Sequence, residues 1–129
     1  MSQDSKFFDA PYDNGHTTGE DILKYPGTLK ADQGIVKRYS VMGKVTATGE
    51  LLLLDKNAID GSEVPFCVTT NEADIDTAGE AKVVDTAIRG SFNDSTLIFA
   101  AGTVVADVWD DMRALSLYAL PVEEIEHYE

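Results

Sequence analysis

From residue 34 onward, short runs of β-branched and aliphatic residues alternate with turn sequences, and this pattern constrains the fold more than any other feature. Runs at 35–42 and 45–54 are interrupted at Gly43 and at Thr48-Gly49. Asp60-Gly61 is a strong turn signal, because glycine tolerates positive φ, and a short strand is expected to follow it at 64–70. Residues 82–92 and 96–100 flank Asn93-Asp94-Ser95 and are predicted to form a hairpin. The pattern therefore predicts a mainly β domain.

A single helix is predicted after Gly102. Thr103 is a suitable N-cap, and apolar residues recur at spacings of three and four over 104–115. This periodicity places Trp109 on the face that must be buried and the carboxylates on the solvated face. Residues 117–120 are expected to close the sheet before Pro121.

The first 33 residues differ in composition from the rest of the chain. Ten of them are apolar, against 46 of the 96 that follow, and they show neither helical nor strand periodicity. Such a segment cannot bury enough apolar surface to offset the ordering of its backbone. Its spaced apolar residues favour an extended arm that orders on a partner, with a plain disordered tail as the alternative. These candidate anchors are Phe7, Phe8, Tyr12, Ile22, Leu23 and Tyr25.

The predicted organisation is an N-terminal arm over 1–33, a β-rich domain over 34–120 and an acidic C-terminal tail over 121–129. The chain carries 10 Lys and Arg against 23 Asp and Glu, a net charge of -13. This balance argues against nucleic acid and membrane surfaces as partners. Most of the excess lies in residues 66–129, which carry a charge of -10. That half is either a plain solvated surface or the outward face of a larger assembly.

Signals for chemistry are scarce. The two histidines, His16 and His127, lie outside the predicted core, so a histidine-activated nucleophile is not expected. Cys67 falls in an apolar strand and is predicted to be a buried, inert thiol. Because Cys67 is the single cysteine of the chain, an internal disulfide and a cysteine-rich zinc site are excluded.

The carboxylates support only an alternative reading. Asp74 and Asp76 match an EF-hand loop poorly, and Asp107 and Asp111 are four residues apart on the helix, where they can share a weak cation. We therefore predict no enzyme, no catalytic residues, no cofactor and no metal site. A small β-barrel module that binds a ligand or cation is the alternative, and an enzyme using carboxylates alone is a weaker one.

The order of these elements resembles the tailed-phage head decoration proteins of the lambda protein D family. The resemblance covers roughly residues 27–120 and includes Gly34-Ile35-Val36 and a Thr48-Gly49 hairpin that ends in four leucines. Its best local mark is Asp60-Gly61-Ser62-Glu63-Val64-Pro65, which leads into an apolar strand. Later come Leu97-Ile98-Phe99, the helix and a Leu-Tyr strand.

The resemblance implies a small, partly open β-barrel of β-clip type with one short helix. It implies a homotrimer that binds the major capsid protein on the outer surface of an expanded phage head and stabilises the shell against the pressure of packaged DNA. In that family the arm is disordered in the free protein and orders on the capsid. The expected location is the virion surface, after synthesis in the host bacterial cytoplasm, with the acidic half of the chain facing solvent.

Overall fold

The structure, a computed structural model, describes residues 22–121. These residues form a mainly β fold with one short α-helix, which confirms the predicted fold class. Among them, no helix is long and apolar enough to cross a membrane. The strands are β1 (Leu23–Leu29), β2 (Ile35–Val36), β3 (Val41–Lys44), β4 (Leu51–Leu53), β5 (Pro65–Thr69), β6 (Ile75–Asp76), β7 (Lys82–Asn93) and β8 (Leu117–Leu120), and the helix is α1 (Val105–Ala114).

Five strands form a closed barrel in the order β1-β4-β3-β5-β7, because β1 also pairs with β7. The β1–β7 pairing is antiparallel and extends from Leu23 opposite Arg89 to Leu29 opposite Lys82. The β1–β4 pairing is parallel and consists of Leu29 opposite Leu51 alone. The predicted barrel is thus confirmed, and a single residue pair completes its closure.

β8 does not close the sheet, although residues 117–120 were predicted to do so. It pairs in parallel with the last part of β7, from Gly90 opposite Leu117 to Asn93 opposite Leu120, outside the barrel. Closure instead comes from β1, which lies in the segment predicted to be an arm. β2 and β6 form a separate two-stranded ribbon.

Two apolar clusters lie on opposite sides of the barrel wall. The first takes one side chain from each barrel strand, so it fills the barrel interior; it contains Leu29, Val36, Met42, Leu51, Cys67 and Val84. The second lies between the outside of the wall, α1 and β8. It contains Tyr39, Val41, Leu54, Val68, Ala87, Phe92, Val108, Met112 and Leu117.

The predicted hairpin over 82–92 and 96–100 is wrong. Asn93 Oδ1 accepts from the Ser95 N–H and starts a 3₁₀ turn at Asp94–Thr96, which directs the chain away from β7. Ile98 instead lies beside the start of β3, where its carbonyl accepts from the Val41 N–H at 2.9 Å.

The helix begins later than predicted, with Val104 as its N-cap residue. The hydroxyl of Thr103 does not cap the helix; it accepts from the Lys56 N–H at 3.0 Å. Asp107 takes the capping role, since its carboxylate accepts from the Val104 N–H at 2.9 Å.

Candidate functional site

The described part of the predicted anchor set lies at the beginning of β1. Ile22 is half-buried and packs against the outer cluster. A Cβ at Gly90 would lie 2.5 Å from its Cδ1, so that glycine makes room for it. Leu23 and Tyr25 are 45% and 59% exposed. Ile22 therefore makes a contact within the protomer, whereas the side chains of Leu23 and Tyr25 are accessible to a partner. Phe7, Phe8 and Tyr12 lie outside the described residues.

β1 has one paired edge and one open edge. Its whole length pairs with β7, but on the other side only Leu29 has a strand partner. Between Leu23 and Thr28, this second edge meets no other strand of residues 22–121. An unpaired strand edge is a template on which another chain can add a strand.

The direction of the backbone groups on β1 shows what this edge offers. The Lys30 N–H donates to the Leu51 carbonyl at 2.9 Å, so it points toward β4. Because backbone groups alternate along a strand, those of Lys24, Pro26 and Thr28 point to the same side. Pro26 has no N–H and is tolerated there, because its nitrogen faces away from β7. The open edge thus offers the N–H groups of Lys24 and Thr28 together with the carbonyls of Lys24 and Pro26.

The neighbouring edge of β4 is closed by a side chain. The amide nitrogen of Gln33 donates to the carbonyls of Lys30 (2.9 Å) and Leu51 (2.8 Å). Its amide oxygen accepts from the Leu53 N–H at 3.1 Å. One glutamine therefore supplies the donor and acceptor that a paired strand would otherwise present to β4.

The loop over 55–64, which holds the best mark of the family resemblance, packs tightly on β3. A Cβ at Gly43 would lie 2.1 Å from the carbonyl oxygen of Ser62, so only glycine allows this approach. Asp60 Oδ1 accepts from both the N–H and the hydroxyl of Ser62, at 3.0 and 2.6 Å. These hydrogen bonds lower the pKa of the Asp60 carboxyl.

Gln33 and Ile59 were not predicted from the sequence to be candidate site residues. Ile59 lies at the tip of the loop and is 97% exposed. Its signal was present, since it is an isolated aliphatic residue between the turn sequences Asp55-Lys56-Asn57 and Asp60-Gly61. Gln33 had no such signal, because its role depends on where β1 and β4 separate.

Two of the four carboxylates considered for a cation, Asp76 and Asp107, have other contacts. Asp76 Oδ1 accepts from the Ala78 N–H at 3.0 Å. The Asp107 carboxylate lies 3.3 Å from Lys56 Nζ, and its hydrogen bond from Val104, followed by Lys56, lowers its pKa. Within residues 22–121, no group of three or more His, Cys, Asp or Glu side chains is placed to hold a metal ion.

The buried thiol prediction is confirmed. Cys67 lies in the barrel interior with no exposed surface. Burial raises its pKa to about 12, and a hydrogen bond with Thr86 acts in the opposite direction. The thiol is therefore protonated at neutral pH and unreactive as a nucleophile.

The sequence matches one family model, that of the bacteriophage lambda head decoration protein D, over residues 13–114. No curated protein matches the chain. The matched region includes the barrel, the loop over 55–64 and α1 up to its last residue. It covers more than three quarters of the 129 residues. The chain belongs to the bacteriophage lambda head decoration protein D family, a family of structural proteins of the phage head.

Proposed function

We propose that this protein binds the outer surface of an expanded phage capsid as a homotrimer, contacts the major capsid protein and stabilises the shell against the pressure of packaged DNA. It performs no catalysis in this role. Family membership supports the capsid role. The observation that carries the proposal is the open edge of β1, with Leu23 and Tyr25 exposed beside it.

The contact combines strand addition with apolar burial. An extended capsid segment laid along β1 accepts from the Lys24 N–H and donates to the carbonyls of Lys24 and Pro26. Leu23 and Tyr25 then lose their exposed surface to the capsid. Burying apolar area contributes roughly 25 cal/mol per Å², and a tyrosine also supplies a hydroxyl for a polar partner. The edge contributes direction and register, and the side chains contribute most of the binding free energy.

The segment before β1 extends this contact. Phe7, Phe8 and Tyr12 precede the open edge in the chain, and 21 extended residues span roughly 70 Å. One protomer can therefore reach beyond the capsid subunit under its barrel. In a trimer, docking of the first protomer raises the effective concentration of the other two. The acidic residues 66–129 face solvent in this arrangement.

The test is co-sedimentation with empty expanded heads of the phage that encodes the protein. The double variant Leu23→Asp/Tyr25→Asp should remain folded, because both side chains are partly exposed at the open end of β1, and should lose at least tenfold in affinity for heads. Val83→Asp is the matched control, since Val83 is 72% exposed and pairs with Thr28 on the other face of the same ladder. Its binding should equal that of the wild type.

A second variant separates β1 from the preceding segment. Deletion of residues 1–21 leaves every described residue in place. Loss of binding in both variants supports a continuous contact through the segment and β1. Wild-type binding of the double aspartate variant would show that β1 is not part of the capsid contact.

A further inference from the structure

The loop over 55–64 presents Ile59 to solvent on an ordered backbone, and Val64 is half-exposed at its end. Its first turn is closed by the Asn57 N–H, which donates to Asp55 Oδ1 at 2.9 Å. Its second turn is closed by Asp60, whose carbonyl also accepts from the Thr46 N–H at 2.9 Å. Ile59 lies between these two turns with 97% of its surface exposed.

Lys56 anchors the base of the loop to the start of α1. Its N–H donates to the Thr103 hydroxyl at 3.0 Å, and its Nζ lies 3.3 Å from the Asp107 carboxylate. The loop is therefore ordered before any partner arrives, and burial of Ile59 would cost little conformational entropy. A rigid, exposed aliphatic side chain is suited to be the central anchor of an interface.

A depression of about 370 Å³ lies elsewhere on the same protomer. Aliphatic side chains form much of its lining, including those of Ile35, Leu53 and Ile98. Lys37 is the one charged residue among those that line it. The loop that carries Ile59 has the opposite charge, with Asp55, Asp60 and Glu63 against Lys56. The two surfaces carry opposite charge, and the aliphatic lining of the depression suits an aliphatic side chain.

The loop over 55–64 does not reach the depression of its own protomer. The hydrogen bond between Thr46 and Asp60 fixes the loop beside the turn that joins β3 and β4. The depression lies at the opposite ends of these strands, by Ser40 and Leu53, and no residue of 55–64 lines it. Ile59 can therefore enter such a depression only on another protomer.

We propose that Ile59 of one protomer inserts into the depression around Ile35, Leu53 and Ile98 of the next protomer. The contact joins two different surfaces of the same chain, so it is heterologous, and such contacts form closed rings when the rotation between neighbours allows it. This inference rests on the homotrimer of the proposed function and names the surfaces that form it.

Two single variants test the two sides of this contact. Ile59→Asp removes the inserted side chain, and Ile35→Asp places a charge at the rim of the depression, where Ile35 is 60% exposed. In sedimentation equilibrium, each variant alone should fall from three chain masses to one chain mass of 14.0 kDa. Val83→Asp, at another exposed aliphatic position, should remain trimeric and is the control.

Mixing the two variants gives the decisive measurement. Ile35→Asp protomers retain Ile59 and Ile59→Asp protomers retain the depression, so an equimolar mixture should contain dimers of one chain of each kind. A mixture that stays monomeric, or either variant that stays trimeric, overturns the inference. Loss of head binding by a trimeric Ile59→Asp variant would also overturn it and place Ile59 against the capsid.

The same samples distinguish failure of the inference from failure of the proposed function. If the wild type binds heads but is monomeric in solution, the contact between protomers is absent and the capsid role stands. If trimers form as described but do not bind heads, the capsid role fails and the interface stands.

Discussion

The unpaired edges of β1 and β4 extend in opposite directions from the parallel Leu29–Leu51 pair, and the molecule treats them differently. Gln33 closes the β4 edge with two hydrogen bonds, of 2.8 Å to the Leu51 carbonyl and 3.1 Å from the Leu53 N–H. The β1 edge has no equivalent within residues 22–121; it carries Lys24 and Pro26 instead. Lysine and proline at an edge discourage indiscriminate pairing without occupying it. One edge is thus completed internally, and the other is left open within residues 22–121.

β8 provides a third edge for comparison, since β7 is its only strand neighbour in the part of the chain that the structure describes. The indole N–H of Trp109 donates to the Ala119 carbonyl of this strand at 3.1 Å. Side chains therefore satisfy backbone groups at two of the three edges. The open edge of β1 is a local property of that strand, in keeping with its proposed contact with the capsid.

The largest expected effect concerns the point where the barrel closes. Leu29 is fully buried, and it is the one β1 residue paired with both β7 and β4. Leu29→Ala should lower the free energy of unfolding by about 2–5 kcal/mol, because it leaves a cavity in the barrel interior. Urea denaturation measures this loss.

Leu23→Ala is the matched control at the open end of the same strand. Leu23 is 45% exposed, so its truncation should cost less than about 1 kcal/mol. Equal losses in the two variants would mean that β1 is held uniformly along its length, and the contrast between its closed and open ends would be lost.

Local sequence signals were sufficient for some elements. The predicted strand at 117–120 matches β8, and the run at 64–70 contains β5, which follows an Asp-Gly turn. The burial of Cys67 was also predictable, because it lies among apolar residues of a strand. In these cases the residues that define the element are adjacent in the chain, so periodicity and turn chemistry apply directly.

β1 could not be predicted in this way. Pro26 and Gly27 interrupt its pattern, and both residues are depleted in strands. They fit because of distant residues: Pro26 faces the open edge, and a Cβ at Gly27 would lie 2.6 Å from Leu51 Cδ1. The strand exists because β7 pairs with it, and no local signal reports that pairing.

The surroundings of Trp109 and Ile98 also depend on residues that are distant in the chain, so local sequence signals did not predict them. Helical periodicity placed Trp109 on the buried face, but it is 37% exposed, because its indole N–H reaches the edge of β8. Ile98 forms an isolated parallel bridge with Ser40, which is distant in the chain. The turn sequence at 93–95 had instead predicted a hairpin between residues 82–92 and 96–100. For the candidate site, the apolar character of residues 22–25 was foreseen, and the open edge beside them was not.

The second prediction concerns the closed edge of β4. Gln33→Ala should lower the free energy of unfolding by about 1–3 kcal/mol, because the N–H of Leu53 loses its partner in a half-buried site and the Leu51 carbonyl keeps only the Lys30 N–H. Thermal unfolding measures the change. Gln33→Glu is the sharper variant, since it keeps the acceptor for Leu53 and replaces both donated hydrogen bonds with repulsion between a carboxylate and two carbonyls.

Gln33→Glu should therefore be at least as unstable as Gln33→Ala. Wild-type stability in both variants would show that the amide is not what closes the β4 edge. The difference between the β4 edge and the β1 edge would then have to be explained by their exposure to solvent alone.

The smallest effect is expected at the open edge, from Pro26→Ala. The alternation of backbone groups directs the nitrogen of residue 26 away from β7, so the new N–H would point to solvent and gain no partner in the protomer. The unfolded chain would gain conformational freedom, which should lower the free energy of unfolding by about 0.4–1 kcal/mol. The restored donor would also make the edge a better template, so we expect concentration-dependent self-association in light scattering that the wild type does not show. If the nitrogen instead faced β7, alanine would complete a ladder hydrogen bond and add about 0.5–1.5 kcal/mol of stability. A more stable Pro26→Ala variant would thus contradict the assigned orientation of β1, and the open edge would have to be assigned to the other set of backbone groups.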